Sequence, residues 1–251
     1  MGLNDAVDAI PRKTMVLFFL IDTSGSMARS KIGAVNAAIE EVIPELKDLS
    51  QENADASVKI AALEFNNVVQ WLTKDGPESA ETFHWQYVDA GGCTALGEAC
   101  RELNAKLSTK EFMHEATGSF APAVFLLSDG APTDDFDAGL AELKKNNWFK
   151  AAIKVVVAIG DDAKKDELAK FTGSMESVLE VHNAAMLRKM IRFVSVRASQ
   201  VASKSVQVSV QQNVINTTAV MPDTSVKQQA LNEVLQEIIT EAAADSGDDE
   251  W

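Results

Sequence analysis

Met15-Val16-Leu17-Phe18-Phe19-Leu20 is an unbroken apolar run, and the segment directly after it, Ile21-Asp22-Thr23-Ser24-Gly25-Ser26-Met27, turns small and polar. A strand with one wet face alternates in polarity, whereas a strand covered on both faces reads as continuous hydrophobicity. The run therefore predicts a central strand, from about Thr14 to Ile21, in a sheet with helices on both sides. From Ala28 to Leu49, the residues Ile32, Val35, Ile39, Val42, Leu46 and Leu49 recur at three- and four-residue spacings, which predicts an amphipathic helix. Pro44 stands late in it and is expected to bend or loosen the last turn. Asp22, Ser24 and Ser26 thus lie on a turn from the carboxyl end of a buried strand into a helix, where open α/β sheets place ligands. One carboxylate and two hydroxyls at alternate positions, with Gly25 letting the turn tighten, make a set of hard oxygens. Such a set suits Mg²⁺, Mn²⁺ or Ca²⁺ rather than zinc.

The rest of the chain repeats the alternation of strand and helix. Val58 to Phe65 predicts a second strand, and Asn66-Asn67 a two-residue hairpin turn into Val68-Val69-Gln70-Trp71. Asp75-Gly76-Pro77 marks a loop, and the stretch from there to Ala90 carries no clear period. Beyond the loop Gly91-Gly92-Cys93-Thr94, a helix is expected from Ala95 to Leu107, a strand from Phe120 to Ser128 and a helix from Asp134 to Asn146. A strand from Lys154 to Ile159, a helix from Lys164 to Phe171, a strand from Val178 to Val181 and a closing helix from Ala184 to Ser199 follow. This order predicts an α/β fold, a doubly wound, mostly parallel central sheet with helices on both faces.

With 251 residues there is length for one such domain and an appendage. Residues 1–13 read as a leader, 14–200 as the domain and 201–244 as an extension. In the extension, alternating Val206, Val208 and Val210 predict a short strand, and Val226, Ala230, Val234 and Ile238 an amphipathic helix. That helix is expected to pack on the domain, with docking to another protein as the alternative. Residues 245–251, acidic and without a basic residue, are expected to be disordered.

A formal charge of −14 argues against binding a phosphate backbone or an anionic membrane surface, both of which require basic stripes. Cys93 and Cys100 lie too far apart along one helix for an unstrained bridge and are read as reduced thiols. The start Met1-Gly2-Leu3-Asn4-Asp5-Ala6 has neither the basic region nor the apolar core of a signal peptide, and Ala6 breaks the myristoylation pattern. No apolar run approaches the ~20 residues of a spanning helix. The expected location is the cytoplasm.

Two later signals complete the oxygen set. Thr94 lies on a glycine-rich loop at a helix start, and Asp129 ends the buried run Leu126-Leu127-Ser128. In a parallel sheet both share the carboxyl edge with Asp22. Here the chain, over about residues 14–198, resembles the von Willebrand factor A domains. Their metal-ion-dependent adhesion site combines Asp-x-Ser-x-Ser with a distant Thr and a distant Asp, matched by Asp22, Ser24, Ser26, Thr94 and Asp129. The resemblance implies that the three hydroxyls contact the metal, while Asp22 and Asp129 act directly or through water. Neutral hydroxyls leave much of the cation's charge uncancelled, so it stays attractive to an Asp or Glu of a partner protein.

A narrower resemblance rests on Ile21 to Met27, Ala90-Gly91-Gly92-Cys93-Thr94-Ala95-Leu96-Gly97, Ser128 to Asp135 and Asn147-Trp148-Phe149-Lys150. With Phe171-Thr172-Gly173 and the run from Met190-Ile191 to Ser195, these segments resemble the tellurium-resistance von Willebrand A proteins of Y type. Those bacterial proteins belong to tellurite and stress-response systems that include calcium-binding proteins, kinases and phosphatases, which implies a cytoplasmic adaptor. The narrower resemblance does not extend beyond Gln200.

Enzyme readings fail on particular residues. A haloacid-dehalogenase-type phosphatase needs a second Asp two positions after Asp22, where Ser24 stands. Gly25 to Ile32 misses a phosphate-binding loop at Ser30 and Ile32. His84, His114 and His182 are scattered without metal spacing, and Cys93 has no His or second thiol beside it. Asp134, Asp135 and Asp137 read as first-turn acids favoured by a helix dipole. Trp71, Trp85 and Trp148 read as packing residues ahead of interface anchors. The expectation is a non-catalytic, metal-dependent protein-binding adaptor. The rival is a hydrolase or phosphatase that uses the same cation to activate water.

Overall fold

The computed structural model describes residues 12–53, 56–114 and 118–189. The expectations for the leader, the extension, the acidic tail and the far part of the closing helix fall outside these residues. The strands are β1 (Lys13–Asp22), β2 (Ala56–Phe65), β3 (Val69–Trp71), β4 (Glu78–Ser79), β5 (Ala123–Ser128), β6 (Ile153–Ile159) and β7 (Val178–Val181). The helices are α1 (Ser30–Glu52), α2 (Leu96–Lys106), α3 (Phe136–Leu143), α4 (Asn147–Ala151) and α5 (Lys165–Thr172), and residues 184–189 are also helical.

The sheet order is β3-β2-β1-β5-β6-β7, with β4 also paired to β2. β2, β1, β5, β6 and β7 run parallel, while β3 and β4 pair antiparallel along the outer edge of β2. β1 is central, and the parity of its side chains divides the core. Met15, Leu17, Phe19 and Ile21 pack with Ile32, Val35, Ile39, Val42 and Leu46 of α1 and with Leu187. Val16, Phe18 and Leu20 pack on the other face with residues of α2, α3, α4 and α5. Because both faces are covered, the unbroken apolar run of β1 is what this position requires.

Two local expectations are corrected. Phe65 pairs with Val69, so the hairpin turn holds three residues, Asn66-Asn67-Val68, rather than two. The first helix begins later than Ala28: a 3₁₀ turn at Gly25–Met27 comes first, and Arg29, with φ of 70°, redirects the chain into α1. α1 then runs through Pro44 to Glu52. The unread stretch before Ala90 supplies β4 and then lays Phe83, Trp85 and Val88 against the α1 side of the core. α4 was not anticipated; Asn146 starts it by accepting hydrogen bonds from the backbone N–H groups of Trp148 and Phe149.

Candidate metal centre

The chain leaves β1 toward β2 on one side of the sheet and reaches β5 on the other. At such a reversal the loops diverge and open a crevice beyond the carboxyl ends of the strands. Asp22 is the last residue of β1, and Ser128 and Asp129 stand at the end of β5.

Asp22 is fully buried. Its Oδ1 accepts from the Ser24 backbone N–H at 2.8 Å, and its Oδ2 accepts from Ser128 Oγ at 2.5 Å. Burial raises the Asp22 pKa above the usual carboxylate range; the hydrogen bonds from Ser128 and Ser24 oppose that shift, and the charge of Asp129 adds to it. Ser24 Oγ and Ser26 Oγ lie 3.0 Å apart, and Ser26 Oγ donates to Asp129 Oδ1 at 2.8 Å. Asp22, Ser24, Ser26 and Asp129 therefore form one connected set, and Ser26 is its exposed member.

Thr94 reaches the same edge through the backbone. Gly91 N–H donates to Thr23 O at 2.8 Å and Gly25 N–H to Gly92 O at 3.0 Å, stitching the glycine-rich loop to the serine turn. Thr94 N–H donates to Thr133 Oγ1 at 3.0 Å, and Thr94 O accepts from Thr133 N–H at 2.9 Å. The hairpin turn supports this loop from outside. Asn67 Oδ1 accepts from Cys93 N–H at 2.7 Å, and Asn66 Nδ2 donates to Thr23 Oγ1 at 3.1 Å.

Several participants were missed by sequence reasoning. Ser128 is signalled by a hydroxyl at the end of an otherwise apolar strand, one residue before Asp129. Lys31 has no sequence signal. Its Nζ donates to Asp129 Oδ2 at 3.0 Å and to Asp162 Oδ1 at 2.7 Å, joining α1 to the loops after β5 and β6. Burial alone would lower the Lys31 pKa, but its hydrogen bonds to Asp162 and Asp129 outweigh that and leave it raised. The bond from Lys31 lowers the Asp162 pKa in turn.

Other candidates separate from the set. Asp134 accepts from the Gly97 and Glu98 backbone N–H groups at 2.9 and 2.8 Å, capping α2, while Asp135 caps its own helix through Ala138 N–H at 3.1 Å. Cys93 and Cys100 are both free thiols. Trp71 and Trp85 are half-buried and donate to Glu102 and Asn36. His84 and His114 lie at the surface, and His182 pairs with Asp161.

The donor chemistry at the β1–β5 crevice is that of a hard cation. Two carboxylates and three hydroxyl residues share the edge, and neighbouring oxygens of the set stand 2.8 and 3.0 Å apart. Adjacent ligands of an octahedron at Mg²⁺–oxygen distances are about 2.9 Å apart, so the spacing is compatible with such an ion. Among the described residues, no group of three or more His, Cys, Asp and Glu side chains could hold a metal. A cation here would therefore depend on the hydroxyls. Also among the described residues, no helix is long and apolar enough to cross a membrane.

Solved structures share this architecture. A von Willebrand factor type A protein from Catenulispora acidiphila aligns at 19% identity and a TM-score of 0.55, over 74% of this chain and 43% of that one. The pilus adhesin SpaC from Lactobacillus rhamnosus GG aligns at 12% identity and 0.57, over 76% and 30%. Proximal thread matrix protein 1 of the mussel byssus, in a form with a zinc-occupied MIDAS motif, aligns at 15% identity and 0.57, over 75% and 48%. At these identities the likeness is one of fold, and the chain spans less than half the length of these proteins. No curated protein sequence matches the chain. The family model for the von Willebrand factor type A domain matches residues 17–193, which hold Asp22, Ser24, Ser26, Thr94 and Asp129. The chain belongs to the von Willebrand factor type A domain family.

Proposed function

We propose that Asp22, Ser24, Ser26, Thr94 and Asp129 bind a divalent cation, most simply Mg²⁺, and that the bound cation takes an Asp or Glu side chain from a partner protein. The observation that carries this reading is the contact of Ser24 Oγ with Ser26 Oγ at 3.0 Å and of Ser26 Oγ with Asp129 Oδ1 at 2.8 Å, which gathers hard oxygens from two loops at one crevice. Ser24, Ser26 and Thr94 supply neutral oxygens, Asp22 anchors the serine turn through Ser24 N–H, and Asp129 faces Ser26 from the next strand. The bound ion would supply Lewis acidity toward a carboxylate. The domain covers residues 14–200, and 201–244 forms an extension to it.

The protein on this reading is a non-catalytic adaptor. Its resemblance to the tellurium-resistance proteins of Y type supports a bacterial, cytoplasmic stress-response setting, with another protein of that system, a kinase or a phosphatase as partner. The zinc-occupied MIDAS motif of the mussel protein supports testing zinc beside Mg²⁺ and Mn²⁺.

The test is a pull-down from bacterial lysate in Mg²⁺ and in EDTA, with wild type beside Ser24→Ala/Ser26→Ala shown to be folded by circular dichroism. A protein retained by wild type in Mg²⁺ and lost in the other lanes is the expected result. Equal recovery in every lane would sink the bridging role.

A further inference from the structure

Lys31 stands where a cation site has no evident use for a positive charge. Its Nζ lies 3.0 Å from Asp129 Oδ2, on the same carboxylate whose Oδ1 accepts from Ser26 Oγ. The side chain is only 11% exposed, and its other partner, Asp162, is 70% exposed at the rim. The surrounding backbone is shaped for it. Gly160, at φ of 90°, lies so close to the lysine stem that an added Cβ would meet Lys31 Cε at 2.6 Å. The ammonium is therefore held between two acids by the loops after β5 and β6, and does not sample open solvent as a surface lysine does.

Resting on the cation reading above, we propose that Lys31 is a tethered counter-ion of Asp129 that sets the affinity of the site for divalent cations. The ammonium already satisfies part of the Asp129 charge, and it repels any second cation brought to the serine side of that carboxylate. An ammonium and a divalent ion about 6 Å apart disfavour binding roughly tenfold even at the dielectric of water. Asp162 opposes this by drawing the ammonium toward the rim. Lys31 acts as a weight on the equilibrium, and Asp162 is a positioning residue that acts through it.

Calorimetric titration of the full chain with Mg²⁺ and with Mn²⁺ tests the proposal, using wild type, Lys31→Met, Asp162→Asn and the double variant. Thermal unfolding in EDTA shows that each is folded, and Lys31→Gln replaces Lys31→Met should that variant not fold. The expected result is binding about tenfold tighter in Lys31→Met and several-fold weaker in Asp162→Asn, with the Asp162 effect reduced when Lys31 is absent. Equal or weaker binding in Lys31→Met overturns the proposal while leaving the cation site standing. No uptake of either ion by any variant overturns the cation reading and the proposal together. An Asp162 effect of the same size in both backgrounds overturns its action through Lys31.

Discussion

The two edges of the sheet handle charge in opposite ways. At the amino edge, Arg12 donates to Ser50 O and Asn53 O at 2.6 and 3.3 Å, closing the end of α1. Lys154, at the start of β6, donates to Phe149 O and Ala152 O at 3.1 and 2.8 Å, closing the end of α4. In a doubly wound fold helices end at this edge, so cations meet unpaired carbonyls there. At the carboxyl edge helices begin, and Asp134 and Asp135 meet unpaired N–H groups. Asp22 and Asp129 depart from that pattern. Apart from the Ser24 amide, the bonds to these two carboxylates among the described residues come from the Ser128, Ser26 and Lys31 side chains, and none comes from a backbone N–H in the opening turns of α1 to α5. Acids that cap helices are committed to the fold, whereas these two are held mainly by other side chains.

The contrast can be broken most severely at the helix pair that frames the carboxyl edge. A Cβ on Gly139 of α3 would lie 2.2 Å from Gly97 O of α2, a backbone atom that cannot swing aside. Gly139→Leu is expected to lose about 3 kcal/mol or more in urea unfolding. A second substitution sharpens the contrast: Ser24→Ala/Ser26→Ala should weaken Mg²⁺ binding by about a hundredfold, about 2.7 kcal/mol, in calorimetry. Its unfolding free energy in EDTA should stay within about 1 kcal/mol of wild type. Asp134→Ala should do the reverse, lowering stability by about 1–2 kcal/mol through loss of the α2 cap, with cation affinity changed less than about threefold.

The smallest effect belongs to the amino edge. Burial lowers the Lys154 pKa from 10.5 to about 8. Between those values the unfolded chain holds a proton that the folded chain has released, so stability rises with pH across that window. The two carbonyl acceptors and the Phe149 ring favour the charged form and pull the pKa back toward its ordinary value, so the expected rise is roughly 1 kcal/mol. Lys154→Met should remove the rise between pH 8 and 10 in thermal melts and leave Mg²⁺ binding unchanged.

Much of this architecture is legible along the chain because each element has a local cause. β1 and β6 read as covered strands, α2 as an amphipathic helix, and Asp22, Ser24 and Ser26 as polar residues where an apolar run stops. Thr94 and Asp129 are legible by the same logic, each at a junction of loop with helix or strand. The three-residue hairpin turn and the late start of α1 were not legible, since both depend on how backbone hydrogen bonds are shared with a neighbouring segment. Asp134 shows the limit best. Its position predicts a first-turn acid of the helix that follows it, yet its carboxylate caps α2, more than thirty residues earlier.

The sequence by itself determined the alternation of strands and helices, the double covering of β1 and the residue types at the carboxyl edge, since burial and periodicity act through neighbours in the chain. Tertiary structure alone decided which charges meet. Ser26 finds Asp129, Ser128 finds Asp22, and Lys31 finds both Asp129 and Asp162, across 98 to 131 residues of chain. Electrostatic and hydrogen-bond energies fall steeply with distance in space and are indifferent to distance along the sequence.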